Sequence, residues 1–588
     1  MRQFFKFVFA SCLGVFLAFT LMFMILMIIG LVSAAGSGPS VKDGILVLDF
    51  STPIPERSGN VASSGFSLNT NSDLGLHEMK RLIKHAQTDP SVDGIVYKVS
   101  PSTPLGMASA SSLRESLKEF RDSTDKFLYT YGDFFDNTSY LLASSSDSIF
   151  ANPNGIMDIN GYGTMIPFFK GAMDKLGVDM NVFYAGQFKS ATEPYRRTEM
   201  SDQNKFQTRE YLTDNFELYL EEVTQARQVP RSHVMHMVND LNLDNTHIAD
   251  SLGLVDGQMH WYEFEDLLRV KINKKKGRAI SYTDINTYAS IVSLDKGSSK
   301  NKIAVIYAEG EVQYDSNNRG SITEGIYHKI FDKVRKDKRV KAVVLRVNSP
   351  GGSAFTSDVI WKEMKALQAD SIPVIASFGD YAASGGYYIA ASADTIVAHP
   401  KTLTGSIGVF SMFPNLTELA EDKLGITFDT VKTSPNAIFL SPFLEMNDRE
   451  KRAMQNYTDG MYDQFLSIVA EGRNSTKEEI HKVAQGRVWT GRKAREIGLV
   501  DELGGLERAI EIAAEKAGVA NYKLVEYPKI EKEFWEEILS EVSRSQEAGI
   551  SRLMDDKIED QLTQTLKEST VLLRYREPLA RLPFKLVH

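Results

Sequence analysis

The stretch of this chain best equipped for chemistry is VIASFGDYAASGGYYIAASAD, residues 374–394. A β-branched run of strand type ends at Phe378, small residues fill Ala382 to Gly386, and an apolar helical run follows. That order puts Ser384 at a strand–turn–helix junction, where a serine is expected to stand exposed at the end of a sheet. Gly385 and Gly386 let another backbone come close. The unpaired amides at a helix start favour negative charge, so a nucleophile that needs an oxyanion hole fits this position. Ala382 stands where a G-x-S-x-G elbow would need its first glycine, so an α/β-hydrolase is not indicated. The same residues also read as a tight glycine turn with Ser384 as a helix cap.

A second segment, RVNSPGGSAF, sets Gly351 and Gly352 directly after the strand-like run 341–349. A glycine pair at the carboxyl end of a strand is where an open α/β sheet receives a ligand, and its amides could bind a substrate backbone or an oxyanion. The pair alone also reads as a turn. A serine hydroxyl is a poor nucleophile without a base. His399, in the turn HPK, is not suitably near Ser384, so a Ser–His–Asp triad has no signal here.

The elements that must position these residues are written twice. GDFFDNTSYLLASSSDSIFANP begins at Gly132 and GDYAASGGYYIAASADTIVAHP at Gly379, an offset of 247. DKLGVDMNVFYAG and DKLGITFDTVKTS set Leu176 against Leu424, an offset of 248, and SLGLVDG and EIGLVDE set Gly253 against Gly498, an offset of 245. A nearly constant spacing over so long a stretch indicates tandem duplication, with repeats at about 41–300 and 301–520. The repeats differ where it matters. Ser384 aligns with Asn137, Ser406 of LTGSIG with Ile159, and Lys189 of FYAGQFKSATEP with Ala437. The serine exists in the second repeat alone and the lysine in the first alone. Ser–Lys pairs are an accepted variant of the serine triad, and a lysine acts as base if burial lowers its pKa. Taken by itself, Lys189 also reads as a solvated surface residue.

Within the second repeat, KIAVIYAEGEV (302–312), KAVVLRVNS (341–349) and IPVIASF (372–378) are runs of strand length, separated by helical stretches such as SDVIWKEMKALQA (357–369). Near-continuous Val/Ile runs mark strands buried on both faces, hence parallel βαβ units and an α/β fold.

The chain has 588 residues, 43% hydrophobic and 24% charged, which excludes a disordered or disulfide-stapled protein. Its formal charge of −9 argues against a nucleic-acid binder. Cys12 is the one cysteine, so no intramolecular disulfide forms. His233 and His236 read as helix surface rather than a metal site. Between Lys6 and Lys42 no charge occurs, and residues 7–35 are apolar over more than the roughly 20 residues a spanning helix needs. The charges precede the run, so the amino terminus is expected to face the cytoplasm and the body the outer side. Cleavage near Ala34-Ala35 is the alternative. GSGPS at 36–40 is a linker, and the tail beyond 520 is charged and without an assigned role.

GDYAASGGYYIA, LTGSIG, RVNSPGGS, GRVWTGRKAREIGLVDE and QFKSATEPYRR together resemble the signal peptide peptidase A family, long form, from the anchor to about residue 520. The resemblance implies a membrane-bound serine peptidase with duplicated ClpP/crotonase-like domains, each a spiral of ββα units, behind one transmembrane helix, assembled as a homotetramer. It implies Ser384 as nucleophile, Lys189 as general base and Ser406 as the residue orienting the amine. The substrates it implies are remnant signal peptides, with no metal or organic cofactor. Gly352 and Gly385 are the expected oxyanion donors. A crotonase-like acyl-CoA enzyme and a non-enzymatic peptide-binding scaffold are the rival readings. The expected division is an anchor and linker at 1–40, a lysine-bearing repeat at 41–300, a serine-bearing repeat at 301–520 and a tail at 521–588.

Overall fold

The computed structural model describes residues 44–58, 74–240, 245–294, 298–314 and 320–529, the backbone of Leu579–Arg581, and the isolated positions 14, 21 and 22. Apart from those three positions, the expected membrane helix lies outside the described residues, as do the linker at 36–40 and residues 530–578. Among the described residues no helix is long and apolar enough to cross a membrane.

The first half contributes strands β1 (Gly44–Leu48), β2 (Val92–Lys98), β3 (Phe127–Asp136), β4 (Ser148–Asp158), β5 (Asp179–Ala185), β6 (Gly257–Gln258) and β7 (Tyr282–Asp284). Six of them form a parallel sheet in the order β6-β4-β3-β2-β1-β7, and β5 stands outside it. The sheet is buried on both faces, as its apolar runs require. Leu46 and Ile95 pack with Leu82 and Leu113 of the helices Leu76–Ala86 and Met107–Ser123. Their neighbours Ile45 and Val96 point the other way, onto Phe264 and Leu268 of the helix Trp261–Lys271.

The second half supplies β8 (Lys302–Glu309), β9 (Glu311–Gln313), β10 (Ser321–Thr323), β11 (Val340–Ser349), β12 (Gly351–Ser353), β13 (Val374–Ala383), β14 (Thr395–Ala398), β15 (Leu403–Gly405), β16 (Val409–Asn415), β17 (Val488–Thr490), β18 (Glu502–Leu503) and β19 (Lys523–Tyr527). The path β19-β8-β11-β13-β14-β18 repeats the path β7-β1-β2-β3-β4-β6 of the first sheet. The layering repeats too: Val343 and Leu345 face the helices Glu324–Lys336 and Ala354–Ala369, while Ala342 and Val344 face the helix Leu506–Lys516.

Two strand expectations need correction. The run 302–312 is not one strand: Gly310, at φ 91, turns the chain so that β8 stays in the main sheet and β9 leaves for another. The run through Phe378 does not end there. A register shift opposite β11, between the pairs Val347–Phe378 and Ser349–Ala382, carries β13 on to Ala383.

A third sheet, β10-β9-β12-β20-β16-β5, joins the halves, with β20 the short strand Leu579–Arg581. Here β5 of the first half runs antiparallel to β16 of the second over seven residue pairs, from Ala185 opposite Val409 to Asp179 opposite Asn415. Buried charge also crosses the seam. Glu56, 3% exposed, takes both oxygens to Arg346 on β11, Oε2 to Nε and Oε1 to Nη2, each at 2.9 Å. Removing one partner of a buried pair leaves a charge without compensation. Glu56→Ala is therefore expected to cost about 3–5 kcal/mol, and Glu56→Leu with Arg346→Met to regain most of it. Urea midpoints of the three proteins check this; an unchanged midpoint for Glu56→Ala would show that the pair does not hold the seam.

Candidate active site

Ser384 sits between the end of β13 and the helix Gly385–Ala390, with φ 56 and ψ −118. A non-glycine residue held there costs on the order of 1–3 kcal/mol, and such strain persists only where the surroundings impose it. The impositions are visible: the Ser384 N–H donates to Gly405 O at 2.8 Å, and its carbonyl accepts from Tyr388 N at 2.9 Å. The strand–turn–helix position is as expected from the sequence, but the exposure is not. Ser384 is fully buried, because chain from both halves closes over the junction.

Lys189 reaches Ser384 through the pairing of β5 with β16. The chain leaving Ala185 passes the chain entering Val409, so the residues just beyond β5 meet the turn Gly405–Gly408. There the Lys189 Nζ lies 2.7 Å from Ser384 Oγ, 3.1 Å from Ser406 Oγ and 3.1 Å from the Ser406 carbonyl oxygen. Ser406 is held at φ 50, its N–H donating to Arg487 O at 2.7 Å. Lys189 is 1% exposed, which rejects the reading of a solvated surface lysine.

Burial alone pushes the Lys189 amine well below the ordinary lysine value. The comparison with Lys401 is instructive. That amine is also buried, and burial lowers its pKa too, but Glu222 at 2.7 Å opposes the shift. Among the described residues Lys189 Nζ has serine oxygens and a carbonyl as its hydrogen-bond partners and no carboxylate that would compensate an ammonium. An uncharged amine against a serine hydroxyl is an arrangement that can take the serine's proton.

Gly385 opens the helix that follows Ser384, and its neighbour Gly386 lies against the Ser349 turn, where an added Cβ would come 2.7 Å from Ser349 O. Gly352 lies in β12, beside Val312 on one side and residue 580 on the other. The two glycine segments singled out in the sequence thus border one place. His399 is engaged elsewhere: its Nδ1 accepts from Lys401 N, and Nε2 lies 3.7 Å from Glu115. Asn137, the counterpart of Ser384, is tied by its side chain to Gly161 O at 2.9 Å, and Ala437, the counterpart of Lys189, is exposed. His236 is on a helix surface, and among the described residues no cluster of His, Cys, Asp or Glu could hold a metal ion.

The tie between Lys189 and Ser406 through Gln485–Val488 carried no recognisable signal in the sequence. Phe188 N donates to Gln485 O, Gly486 N to Ile407 O, and Ser406 N to Arg487 O. Only glycine fits at 486, where φ is 78 and a Cβ would stand 2.7 Å from Lys189 backbone atoms.

A lysine whose folded pKa is depressed binds its proton in the unfolded chain first. The cost to stability is full below the folded pKa and vanishes above the unfolded value of about 10.4. Between those limits, wild-type stability attributable to this group rises with pH by about 1.4 kcal/mol per unit. Lys189→Met is therefore expected to stabilise the protein most at neutral pH and least near pH 10. Melting temperatures of both proteins across that range check it, and equal values at every pH would refute the uncharged buried amine.

The profile of Peptidase family S49 matches residues 119–270 and 366–520, two stretches that begin 247 residues apart, the spacing of the sequence repeat. Protease 4 of Salmonella typhi is 33% identical over 527 residues, covering 86% of this chain and 84% of that protein. The chloroplastic serine protease SPPA of Arabidopsis thaliana is 31% identical over 464 residues, 77% of this chain and 68% of that one. The putative signal peptide peptidase SppA of Enterococcus faecium is 36% identical over 239 residues, 40% of this chain and 69% of that protein. Among solved structures, ClpP1 from Listeria monocytogenes aligns with 34% of this chain and 91% of its own, at 15% identity and a TM-score of 0.20. Matched twice by one family profile and along most of its length by Protease 4, the chain belongs to peptidase family S49 and is a serine peptidase.

Proposed function

We propose that this serine peptidase works by a Ser384–Lys189 dyad and degrades remnant signal peptides and other apolar peptides released beside a membrane. The observation that carries the dyad is the 2.7 Å approach of a buried, counter-charge-free amine to Ser384 Oγ. Uncharged Lys189 takes the Ser384 proton as Oγ attacks the scissile carbonyl. Ser406 holds the amine through its hydroxyl and carbonyl at 3.1 Å. The Gly352 and Gly385 amides receive the oxyanion. The lysine, now an ammonium, protonates the leaving amine. Uncharged again, it activates the water that hydrolyses the acyl-enzyme. No metal or organic cofactor enters these steps.

The substrate reading is supported by the name of the Enterococcus faecium relative and by the chain's own backbone. Residues 579–581 lie as a strand antiparallel to Gly351–Ser353, with Leu579 also paired to Phe410 of β16. A substrate peptide is proposed to add to the sheet in the same gap, its main chain bonded by strand addition. The duplicated body is read as two ClpP/crotonase-like domains, at 41–300 and 301–520. The tail is taken as 521–588 and the anchor with its linker as 1–40. The apolar run at 7–35 supports a single-pass inner-membrane anchor with the amino terminus cytoplasmic and the body outside. A homotetramer is part of the proposal and rests on the resemblance. Family membership sets aside the acyl-CoA enzyme, and the intact Ser384–Lys189 contact speaks against a scaffold.

Ser384→Ala and Lys189→Ala are each expected to abolish peptide hydrolysis and labelling by a fluorophosphonate while the protein stays folded. The two losses do not add, because the groups act as one unit. Ser406→Ala is expected to lower the rate less. Turnover by Lys189→Ala near the wild-type rate at neutral pH would exclude the mechanism.

Deleting residues 1–40 is expected to give a soluble enzyme with unchanged activity on short peptides, since every proposed site residue follows the linker. Vesicle flotation reads the anchor: a truncated protein that floats as well as the full chain would overturn the assignment of that segment.

A further inference from the structure

We propose that Gln207 is a positioning residue, whose side-chain amide ties the Phe188 carbonyl before Lys189 and the Ser190 hydroxyl after it to the strand beside Ser406 and so holds Nζ at Ser384. The proposal rests on the Ser384–Lys189 reading and concerns what keeps that pair in place.

Gln207 lies on the helix Asp202–Arg227 of the first half and is fully buried. Its Nε2 donates to Phe188 O at 3.1 Å and to Ser190 Oγ at 3.1 Å, the residues immediately before and after Lys189. A third acceptor, Asn204 Oδ1, is 3.3 Å away. Its Oε1 accepts from Val488 N at 3.2 Å, on β17 of the second half. Val488 stands in register with Gly405, the residue before Ser406. One amide therefore spans from the lysine's backbone to the strand that seats the second serine. An amide offers two donor hydrogens and an acceptor oxygen in fixed geometry, and here both ends are used. Lys189 has four rotatable bonds and, among the described residues, no ion-pair partner, so its aim depends on where its backbone is held.

The helix has a separate attachment to the second half. Asp214, two turns on, accepts from Thr490 Oγ1 and from Arg492. Docking of the helix and aiming of the lysine can thus be tested apart. Charged groups on the elements around Lys189, among them Glu193, Arg196, Glu210, Arg487 and Asp380, have other contacts. Glu193 accepts from Ser201 and Asn204, Arg196 lies over the Tyr184 ring, and Asp380 accepts from Ser109. Arg487 stacks on Trp489 at 3.9 Å and interacts with Glu210. Among the described residues, only Ser384 and Ser406 are hydrogen-bonded to Nζ.

The test uses the full chain and a short chromogenic peptide, with kcat and KM followed across pH. Gln207→Met keeps the length and removes every hydrogen bond. Gln207→Glu keeps the size and the acceptor for Val488 but loses the donors. In Gln207→Met, kcat at neutral pH is expected to fall about tenfold with KM within about twofold of wild type. The ascending limb of kcat/KM should move alkaline by about half a unit or more, since a loosened amine meets water and regains its proton. Gln207→Glu should move the limb the same way, its carboxylate also favouring the ammonium. Asp214→Asn should lower the melting temperature and leave the limb in place. An unmoved limb in both Gln207 variants overturns the proposal. So does a limb that Asp214→Asn moves as far, or a loss confined to KM. If Gln207→Met does not fold, Gln207→Leu, which also removes the hydrogen bonds and adds no charge, takes its place. A wild-type profile without an ascending limb would be a different failure, removing the dyad and this proposal with it.

Discussion

The feature on which the rest of this molecule depends is an amine in a place that cannot stabilise its charge. Lys189 is enclosed by two serines, a carbonyl and the backbone of Gly486, with no carboxylate in reach among the described residues. Elsewhere along the seam buried cations have partners: Arg346 has Glu56, and Lys401 has Glu222. The contrast separates two uses of burial. A buried charge with its counter-ion is a structural tie, broken at high cost. A buried amine without one is pushed toward its uncharged form, because desolvation disfavours the ammonium, and the proposed mechanism uses that form of Lys189 as its base. The unfavourable term is offset by the apolar packing of two sheets, each covered on both faces.

That amine can be enclosed only because two copies of one unit divide the work. Both halves repeat one strand order, yet the serine belongs to one and the lysine to the other. What unites them is the antiparallel pairing of β5 with β16, which ends at Ala185 and Val409 and so delivers the chain beyond each to the other. The counterparts no longer match: Asn137 has turned its side chain to Gly161, and Ala437 carries no group that could act as base. Duplication supplied two scaffolds and divergence left one centre between them. Two residues of that centre have positive φ, Ser384 at 56 and Ser406 at 50, both fixed by backbone bonds from neighbouring chain.

In the proposed mechanism the third sheet is where a substrate backbone meets this centre. β12 carries the glycine pair, β16 follows Ser406, and a piece of the chain's own backbone lies between them. An extended main chain is the one shape that such a gap accepts without regard to side chains. This suits an enzyme that meets fragments of varied apolar sequence.

Much of this was legible in the residues themselves. The parallel α/β class followed from Val/Ile runs, which occur only where both sheet faces are covered, and the duplication followed from three pairs of segments at nearly one spacing. Ser384 was marked by its strand–turn–helix setting and Lys189 by its absence from the other copy, because local chemistry and repeat comparison need no knowledge of distance. Other features depended on chain brought from far away. The break at Gly310 and the extension of β13 to Ala383 were decided by pairing with β11 and its neighbours. The burial of Ser384, the neutrality favoured for Lys189 and the bonds of Gln207 depend on solvent exclusion by segments up to 281 positions apart. A sequence states which groups are present; whether water reaches them is a property of the assembled tertiary structure, and here that difference turns an ordinary lysine into a buried amine 2.7 Å from a serine hydroxyl.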